Sequence, residues 1–257
     1  MCRWLAYSGK PIFLEDVVIN PEHSLIWQSQ HARESKLEVN GDGFGLGWYG
    51  EKETPAVYHE VMPAWSDENL LDLTAHIRAG TFFTHIRAST GTSVNRSNCH
   101  PFRFKKWLFM HNGQISAYSK VRRHLERMLP DALYECRKGS TDSELMFYLL
   151  VANDLDGDPI KAMQKMWAQV CKINEEAGNG RSLRFTSALS DGENVYAIRA
   201  SNDNKAPSLY YRELDAGTLV VSEPLDDDRS KWTHIEENSV MCIHNGGIAD
   251  FRMFALG

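Results

Sequence analysis

The chain has 257 residues, of which 42% are hydrophobic and 24% are charged, and its formal net charge at pH 7 is −6. This balance is typical of a globular protein with one large domain or two small ones. The negative charge argues against nucleic acid or an anionic membrane as the main partner, because both bind basic faces.

The first predicted element is a strand over residues 2–7, which we expect to end at the turn-forming residues 8–11. If Met1 is removed, Cys2 becomes the N-terminus and carries a thiol and a free α-amine on one carbon. A deprotonated thiol is a good nucleophile. An α-amine, with an ordinary pKa of about 7.7–8.0, suits a general base. One residue can therefore supply nucleophile and base, although a cysteine at position 2 alone indicates little.

A turn at residues 40–43 leads into a strand at 44–49, in which glycines occupy alternate positions. Alternate glycines leave one strand face bare, so that another backbone or a ligand can approach it closely. A helix is predicted over 66–78, because leucines recur at helical spacing after acidic residues in the first turn. The next predicted strand, over 81–89, is rich in β-forming residues and leads into a polar stretch.

The tripeptide His-Ile-Arg occurs twice in this part of the chain, at residues 76–78 and 85–87. We interpret Arg78 as a solvated cation in the last turn of the helix. Arg87 lies at the end of a strand that enters a polar, turn-rich stretch, where binding sites are commonly built. Arg87 is therefore the candidate site residue.

A loop at residues 98–101 precedes a short buried strand over 106–110, which ends in His-Asn-Gly at 111–113. Helices are predicted over 116–129 and from 158 to about 178, and Thr-Asp-Ser-Glu at 141–144 matches a capping box before an apolar run. From residue 183 onward, three pairs of strands flank turn signals and predict three hairpins. This order of elements predicts an α+β fold with mainly antiparallel sheets, formed by one domain over residues 2–257.

The cysteines are odd in number and widely spaced, and none forms a C-x-x-C pair: Cys2, Cys99, Cys136, Cys171 and Cys242. This pattern argues against a disulfide framework or a zinc site and favours reduced thiols in a cytoplasmic protein. No apolar run reaches transmembrane length, and the N-terminus lacks the pattern of a signal peptide. We expect no metal, no cofactor and no membrane partner.

Five motifs in order resemble those of the class II glutamine amidotransferases, which are N-terminal-nucleophile hydrolases. They are a cysteine at position 2, a strand ending in His-x-Arg-Ala, then Asn-x-His-Pro, apolar-His-Asn-Gly and Thr-Asp-Ser-Glu. The glycine-spaced strand at 43–49 is similar to that of the small stand-alone members. The resemblance is clear over residues 2–150, and it implies a four-layer αββα sandwich with Cys2 on a central strand.

The resemblance also implies a role for each matching residue. Cys2 would attack the side-chain amide of glutamine to form a γ-glutamyl thioester. Asn112 and Gly113 would form the oxyanion hole, through a side-chain amide and a backbone N–H. Arg87 would bind the substrate α-carboxylate and Asp142 its α-ammonium. A second His-Asn-Gly, at 244–246, falls in the wrong order for the family and is interpreted as a hairpin turn.

Two further positions match substrate-lining residues of the family, His100 and Thr90. A surface-loop histidine is an alternative interpretation of His100. Some relatives carry a bulky aromatic residue after the arginine, where this chain has Ala88, which implies a more open side of the pocket.

Two functions remain open from the sequence. The first is an amidotransferase or amidohydrolase that acts on glutamine or a γ-glutamyl small molecule, alone or with a separate protein that uses the ammonia. The alternative is a non-catalytic regulatory subunit that binds γ-glutamyl groups on the same fold. The joint presence of Cys2, Arg87, Asn112, Gly113 and Asp142 favours the enzyme, because a binding module needs no terminal thiol.

Overall fold

The structure is a computed structural model that describes residues 2–34, 38–89, 91–180 and 182–256. In chain order its strands are β1 (Arg3–Phe13), β2 (Phe44–Trp48), β3 (Ala56–Glu60), β4 (Arg78–Ile86), β5 (Phe102–Phe104), β6 (Trp107–Ile115), β7 (Leu183–Ser190), β8 (Asn194–Ser201), β9 (Tyr210–Leu214), β10 (Gly217–Val221), β11 (Thr233–His234), β12 (Ser239–His244) and β13 (Gly247–Met253). The helices are α1 (Glu15–Val18), α2 (Leu25–Gln30), α3 (Glu68–His76), α4 (Tyr118–Glu126), α5 (Asp131–Tyr134), α6 (Asp142–Ala152) and α7 (Pro159–Glu176).

These strands form two antiparallel sheets. Within the described residues the first sheet has seven strands in the order β11-β9-β10-β1-β4-β2-β3, and the second has six in the order β13-β12-β8-β7-β6-β5. The strand that follows Cys2 is therefore central in its sheet. The three predicted hairpins are confirmed as β7–β8, β9–β10 and β12–β13.

Three hydrophobic clusters separate the layers. One packs α1, α2 and α3 on the first sheet, a second fills the space between the two sheets, and a third packs α4, α6 and α7 on the second sheet. Strand β1 shows how one sequence serves two layers, because alternate side chains point to opposite faces. Trp4 and Ala6 belong to the inter-sheet cluster, whereas Leu5 and Tyr7 belong to the helix side. The predicted four-layer αββα sandwich is confirmed. Among the described residues, no helix combines the length and apolarity needed to span a membrane.

The predictions for the end of β1 and for the position of Arg78 are wrong. Strand β1 does not end at residue 8, since it continues to Phe13 through a register shift between Ser8 and Ile12 in its pairing with β4. Arg78 is not in a helical turn, because α3 ends at His76 and Arg78 begins β4 opposite Phe13. Pairing with a neighbouring strand extends both elements, and neither partner is adjacent in sequence.

The alternate glycines of β2 allow the close approach that their spacing predicts. A Cβ on Gly45 would lie 2.2 Å from the carbonyl oxygen of His100, and one on Gly47 would lie 2.6 Å from Cγ of Pro101. The loop that carries His100 therefore packs directly on the bare face of β2.

This contact predicts that Gly45→Ala destabilises the protein by about 1–3 kcal/mol, because the new methyl group must displace backbone. Gly50→Ala is the matched control, since nothing lies within 4 Å of its added Cβ. We expect that control to change the free energy of unfolding by about 0.5 kcal/mol or less. Chemical denaturation of both variants measures the difference, and equal stability of the two would contradict the close contact.

Candidate active site

The position of Cys2 follows from the pairing of β1 with β4. Arg3 lies opposite Ile86, so Cys2 lies beside the chain as it leaves β4. The Cys2 sulfur accepts the backbone N–H of Ala88 at 3.2 Å and lies 3.5 Å from the Ala88 carbonyl oxygen. Burial raises the pKa of the Cys2 thiol, while the Ala88 hydrogen bond and the charge of Arg87 act in the opposite direction.

The carbonyl group of Cys2 is held by two side chains. Asn112 donates to it from Nδ2 at 2.7 Å, and Arg3 donates from Nε at 3.0 Å. The guanidinium of Arg3 also pairs with Glu223 at 2.7 Å, and both side chains are almost fully buried. Analysis of the sequence missed this ion pair, since the two residues are far apart along the chain and neither belongs to a motif.

Arg87 is buried, with 3% of its surface exposed, and within the described residues its guanidinium donates only to neutral oxygen atoms. These acceptors are the Asp42 carbonyl at 3.3 Å, the Thr92 hydroxyl at 2.7 Å and the Ser93 carbonyl at 3.2 Å, with the Ser89 hydroxyl at 3.3 Å. Among the described residues, no carboxylate forms an ion pair with it. A buried charge without a counter-ion is unfavourable, so this position suits an anionic ligand.

Asp42 is a second residue that sequence analysis did not single out. Its carboxylate accepts the Ser89 N–H at 2.7 Å, and its carbonyl accepts from Arg87. The sequence did place Asp42 in the predicted turn at residues 40–43, directly before the glycine-spaced strand, and this position could have marked it as a candidate site residue.

Asn112 and Gly113 lie near the end of β6, which continues through the His-Asn-Gly motif. Pairing with β7 extends the strand, and Gly113 lies opposite Phe185 with a φ of 140°. A Cβ at Gly113 would lie 1.9 Å from the carbonyl oxygen of Arg184, so only glycine fits here. The second copy of the motif forms the turn between β12 and β13, with positive φ at Asn245 and Gly246, as predicted.

Asp142 is the first residue of α6. The helix is capped by Thr141, whose hydroxyl accepts the Glu144 N–H at 3.1 Å. The Asp142 carboxylate accepts the backbone N–H of Ile115 at 2.9 Å and that of Ser143 at 2.8 Å. Within the described chain it has no ion-pair partner, so it offers an unneutralised negative charge.

His100 is buried, and its ring lies against that of His85 at a tilt of 32°, with the ring centroids 4.3 Å apart. Burial lowers the pKa of His85 to about 3, and the charges of Arg87 and His111 add to this shift. Burial also lowers the pKa of His100 well below 6.5. His100 is therefore an interior residue, which excludes the surface-loop interpretation.

Most of the predicted site residues line one cavity of about 660 Å³. Six of the predicted site residues line it together: Cys2, Arg87, His100, Asn112, Gly113 and Asp142. The seventh, Thr90, lies outside the described residues, as does Met1. Arg184 also lines the cavity and is held by Asp203 at 2.8 Å.

One group of described residues outside this cavity brings metal-ligating atoms together. Ligand atoms of Glu22, His23 and Asp227 lie within 4.8 Å of one another. However, Arg33 donates to Asp227 at 2.6 Å and lies 3.4 Å from His23 Nε2. A guanidinium thus already supplies the cation at this position.

Comparison with curated proteins finds relatives over nearly the whole chain. A probable glutamine amidotransferase of Saccharomyces cerevisiae, DUG3, is 31% identical, over 95% of this chain and 82% of the relative. A γ-glutamyl-hercynylcysteine sulfoxide hydrolase of Mycolicibacterium smegmatis is 25% identical, over 96% of this chain and 98% of the relative.

Solved structures show the same fold. A glutamine aminotransferase class-II domain protein from Silicibacter pomeroyi has a TM-score of 0.78 and 37% identity, over 99% of this chain and 100% of that one. A glutamine phosphoribosylpyrophosphate amidotransferase of Bacillus subtilis has a TM-score of 0.69, with 12% identity over 50% of its own chain, which shows a common fold alone. Residues 16–211 match the family described as class-II glutamine amidotransferases. The chain is thus an enzyme that belongs to the class II glutamine amidotransferases.

Proposed function

We propose that this enzyme cleaves the side-chain amide of glutamine or of a γ-glutamyl compound through a thioester on Cys2. The observation that carries the proposal is the single cavity in which a cysteine, a buried arginine and an aspartate lie together, both charged groups without ion pairs in the described chain. A γ-glutamyl group carries the matching charges, an α-carboxylate and an α-ammonium, on one carbon.

Acylation requires a nucleophile, a base and a place for the oxyanion. With Met1 removed, the α-amine of Cys2 accepts the thiol proton, and the sulfur attacks the amide carbon. Asn112 Nδ2 and the Gly113 N–H stabilise the oxyanion, and removal of one such donor typically costs about 10²–10³ in rate. The protonated α-amine then returns its proton to the departing amine, which is ammonia when the substrate is glutamine.

The substrate is oriented by charge. Arg87 binds the α-carboxylate, for which its planar fork is suited, and the hydroxyl groups of Ser89 and Thr92 border the same position. Asp142 binds the α-ammonium. His100 lines the cavity, and we assign it and Thr90 to substrate binding on the family resemblance.

We propose that the enzyme cleaves γ-glutamyl amides with a larger leaving group as well as glutamine. Two observations support this. The M. smegmatis relative is named as a hydrolase of a γ-glutamyl compound, and the residue after Arg87, which lines the cavity and contacts the Cys2 sulfur through its backbone, has only the small side chain of alanine, Ala88. The released amine passes to solvent or to a separate protein that uses it.

We also propose that residues 2–257 form one domain. Strand β1, at one end of the chain, pairs with β10, and the glycine turn between β12 and β13 packs on β10 through the bond from Thr218 Oγ1 to the Gly246 carbonyl. Both ends of the sequence thus contribute to one set of layers.

A first prediction concerns the α-amine. A protein that retains Met1, or carries an uncleaved N-terminal tag, should fold normally but lose about 10²–10⁴ in rate, because an amide nitrogen cannot accept the thiol proton. The test compares a tagged protein before and after a cleavage that leaves Cys2 first, with intact mass measured on each sample. Full activity in a sample that still carries Met1 would contradict the proposed role of the α-amine as the base.

A second prediction separates chemistry from binding. Cys2→Ala should abolish turnover and leave glutamine binding intact, because the thiol acts mainly in the chemical step. Arg87→Ala should weaken binding by about 1.5–3 kcal/mol, the usual contribution of a charge-assisted bond. Arg78→Ala, from the second His-Ile-Arg copy, is the matched control and should match wild type, since Arg78 is exposed. Calorimetry and an assay of glutamate and ammonia over a panel of γ-glutamyl amides measure both effects.

The same experiment distinguishes the enzyme from a regulatory binding subunit. If wild type cleaves no γ-glutamyl amide but binds one in an Arg87-dependent manner, the binding subunit is the correct interpretation. An electrophilic ketone analogue of glutamine provides the control for a missing partner. Labelling of Cys2 in wild type, and not in Arg87→Ala, would identify a competent enzyme that lacks its partner protein.

A third prediction concerns pH. The value of kcat/KM should rise with pH through the range in which an α-amine loses its proton, about 7.7–8.0. Below that range the protonated amine cannot accept the thiol proton, so activity falls as pH falls. His85 and His100 should add no inflection, because burial holds their pKa values far below 6.5. An inflection near 6.5 in the kcat/KM profile would assign the base to a histidine instead.

A further inference from the structure

Several buried polar atoms beside Cys2 have no hydrogen-bonding partner in the described part of the chain. They are Asn112 Oδ1, both ring nitrogens of His100, both ring nitrogens of His85 and Nε1 of Trp4. The four side chains are each at most 5% exposed. Buried polar atoms are normally paired, because burial without a hydrogen bond costs free energy. A group of them in one place indicates a small polar guest.

Trp4 belongs to the hydrophobic cluster between the two sheets, and His100 and Asn112 line the cavity that contains Cys2. His85 lies directly opposite Trp4 in the pairing of β4 with β1, and Trp4 shares a strand face with Cys2. The ring of His100 lies against that of His85, and His100 lines the cavity together with Cys2 and Asn112. The side chain of Asn112 and the backbone of His111 lie near enough to the His85 ring to oppose the lowering of its pKa. We call His85, His100 and Asn112 the polar floor.

The chemistry of the polar floor fits a neutral guest that both donates and accepts hydrogen bonds. A neutral imidazole has one donor and one acceptor nitrogen, and Asn112 Oδ1 is an acceptor. Burial keeps both histidines neutral, so they hold a guest without taking its proton. The charged ends of the substrate have better partners in Arg87 and Asp142. Water meets these requirements, and hydrolysis of a thioester consumes one water molecule.

We propose that the polar floor binds and orients the water molecule that hydrolyses the Cys2 thioester, an inference that rests on the proposed function. The water oxygen forms a bond to the acyl carbon and gives one proton to the α-amine of Cys2. The tetrahedral intermediate collapses, the carbon–sulfur bond breaks, and the sulfur takes that proton from the amine. Glutamate leaves with a new γ-carboxyl group and the thiol is restored. His85 and His100 are positioning residues, since the α-amine moves the proton.

The test separates acylation from deacylation, with γ-glutamyl-p-nitroanilide as substrate. Rapid mixing measures the burst of p-nitroaniline, which reports acylation, and glutamate release reports deacylation. His100→Leu should keep the burst and slow glutamate release by about 10-fold to 100-fold, the scale of a misplaced reactant. The γ-glutamyl thioester on Cys2 should then accumulate and be visible by intact mass.

Three comparisons exclude a merely structural effect. His100→Gln keeps a donor and an acceptor and should retain most of the wild-type deacylation rate. His85→Phe should slow deacylation in the same direction, and it carries the test if His100→Leu fails to fold. His59→Gln is the matched control, because His59 bonds to the carbonyl of Pro101 on the same loop but does not line the cavity. It should deacylate at the wild-type rate.

Cleavage of the thioester by added hydroxylamine provides a further test. Hydroxylamine is a stronger nucleophile than water, so it does not need the polar floor to orient it. It should restore turnover of His100→Leu as γ-glutamyl hydroxamate. Three outcomes would overturn this inference while leaving the proposed function standing. The first is a wild-type deacylation rate in both His100→Leu and His85→Phe, and the second is an equally slow deacylation in His59→Gln. The third is a change in the burst and in KM without any change in the rate of deacylation. If wild type releases neither p-nitroaniline nor glutamate from the substrate, the proposed function fails, and this inference fails with it.

Discussion

The pairing of β1 with β4 sets the position of Cys2 relative to every other group in the cavity. It brings the residue before β1 beside the chain that leaves β4, where the backbone of Ala88 contacts the sulfur. Asn112, from the second sheet, then donates to the Cys2 carbonyl and ties the two sheets together at this point. The cysteine is thus held by two central strands, which position a group better than a loop does.

The contrast between two buried arginines shows which charges serve the fold and which are left for a ligand. The charge of Arg3 is neutralised inside the protein by Glu223, and its Nε holds the Cys2 carbonyl. Arg87 is almost as deeply buried, yet its acceptors in the described chain are neutral oxygen atoms. A buried charge is unfavourable without a counter-ion. Arg3 has its counter-ion within the protein, whereas Arg87 would gain one only when an anionic substrate binds.

The strand and helix patterns of the sequence predicted an α+β fold with antiparallel sheets, because these patterns are local signals. The order of layers and the residues that converge on the cavity followed from the family resemblance that the five spaced motifs carry. The sequence could not predict the ends of β1 and β4, since pairing between Phe13 and Arg78 depends on residues that are distant in the chain. The ion pair of Arg3 with Glu223 was hidden for the same reason. The two copies of His-Asn-Gly show that identical tripeptides adopt different conformations in different surroundings. The first copy is part of a strand because it pairs with β7, whereas the second forms a hairpin turn.

Burial determines which groups of the site can accept a proton near neutral pH. It lowers the pKa of His85, His100 and His111, so these rings stay neutral at physiological pH, and it raises the pKa of the Cys2 thiol, which therefore stays protonated. None of these four groups can act as an effective base near neutrality. In the proposed mechanism that task falls to the α-amine of Cys2, whose ordinary pKa lies close to neutral pH. Removal of Met1 is then the step that supplies the base, and the neutral histidines can orient water without competing for its proton.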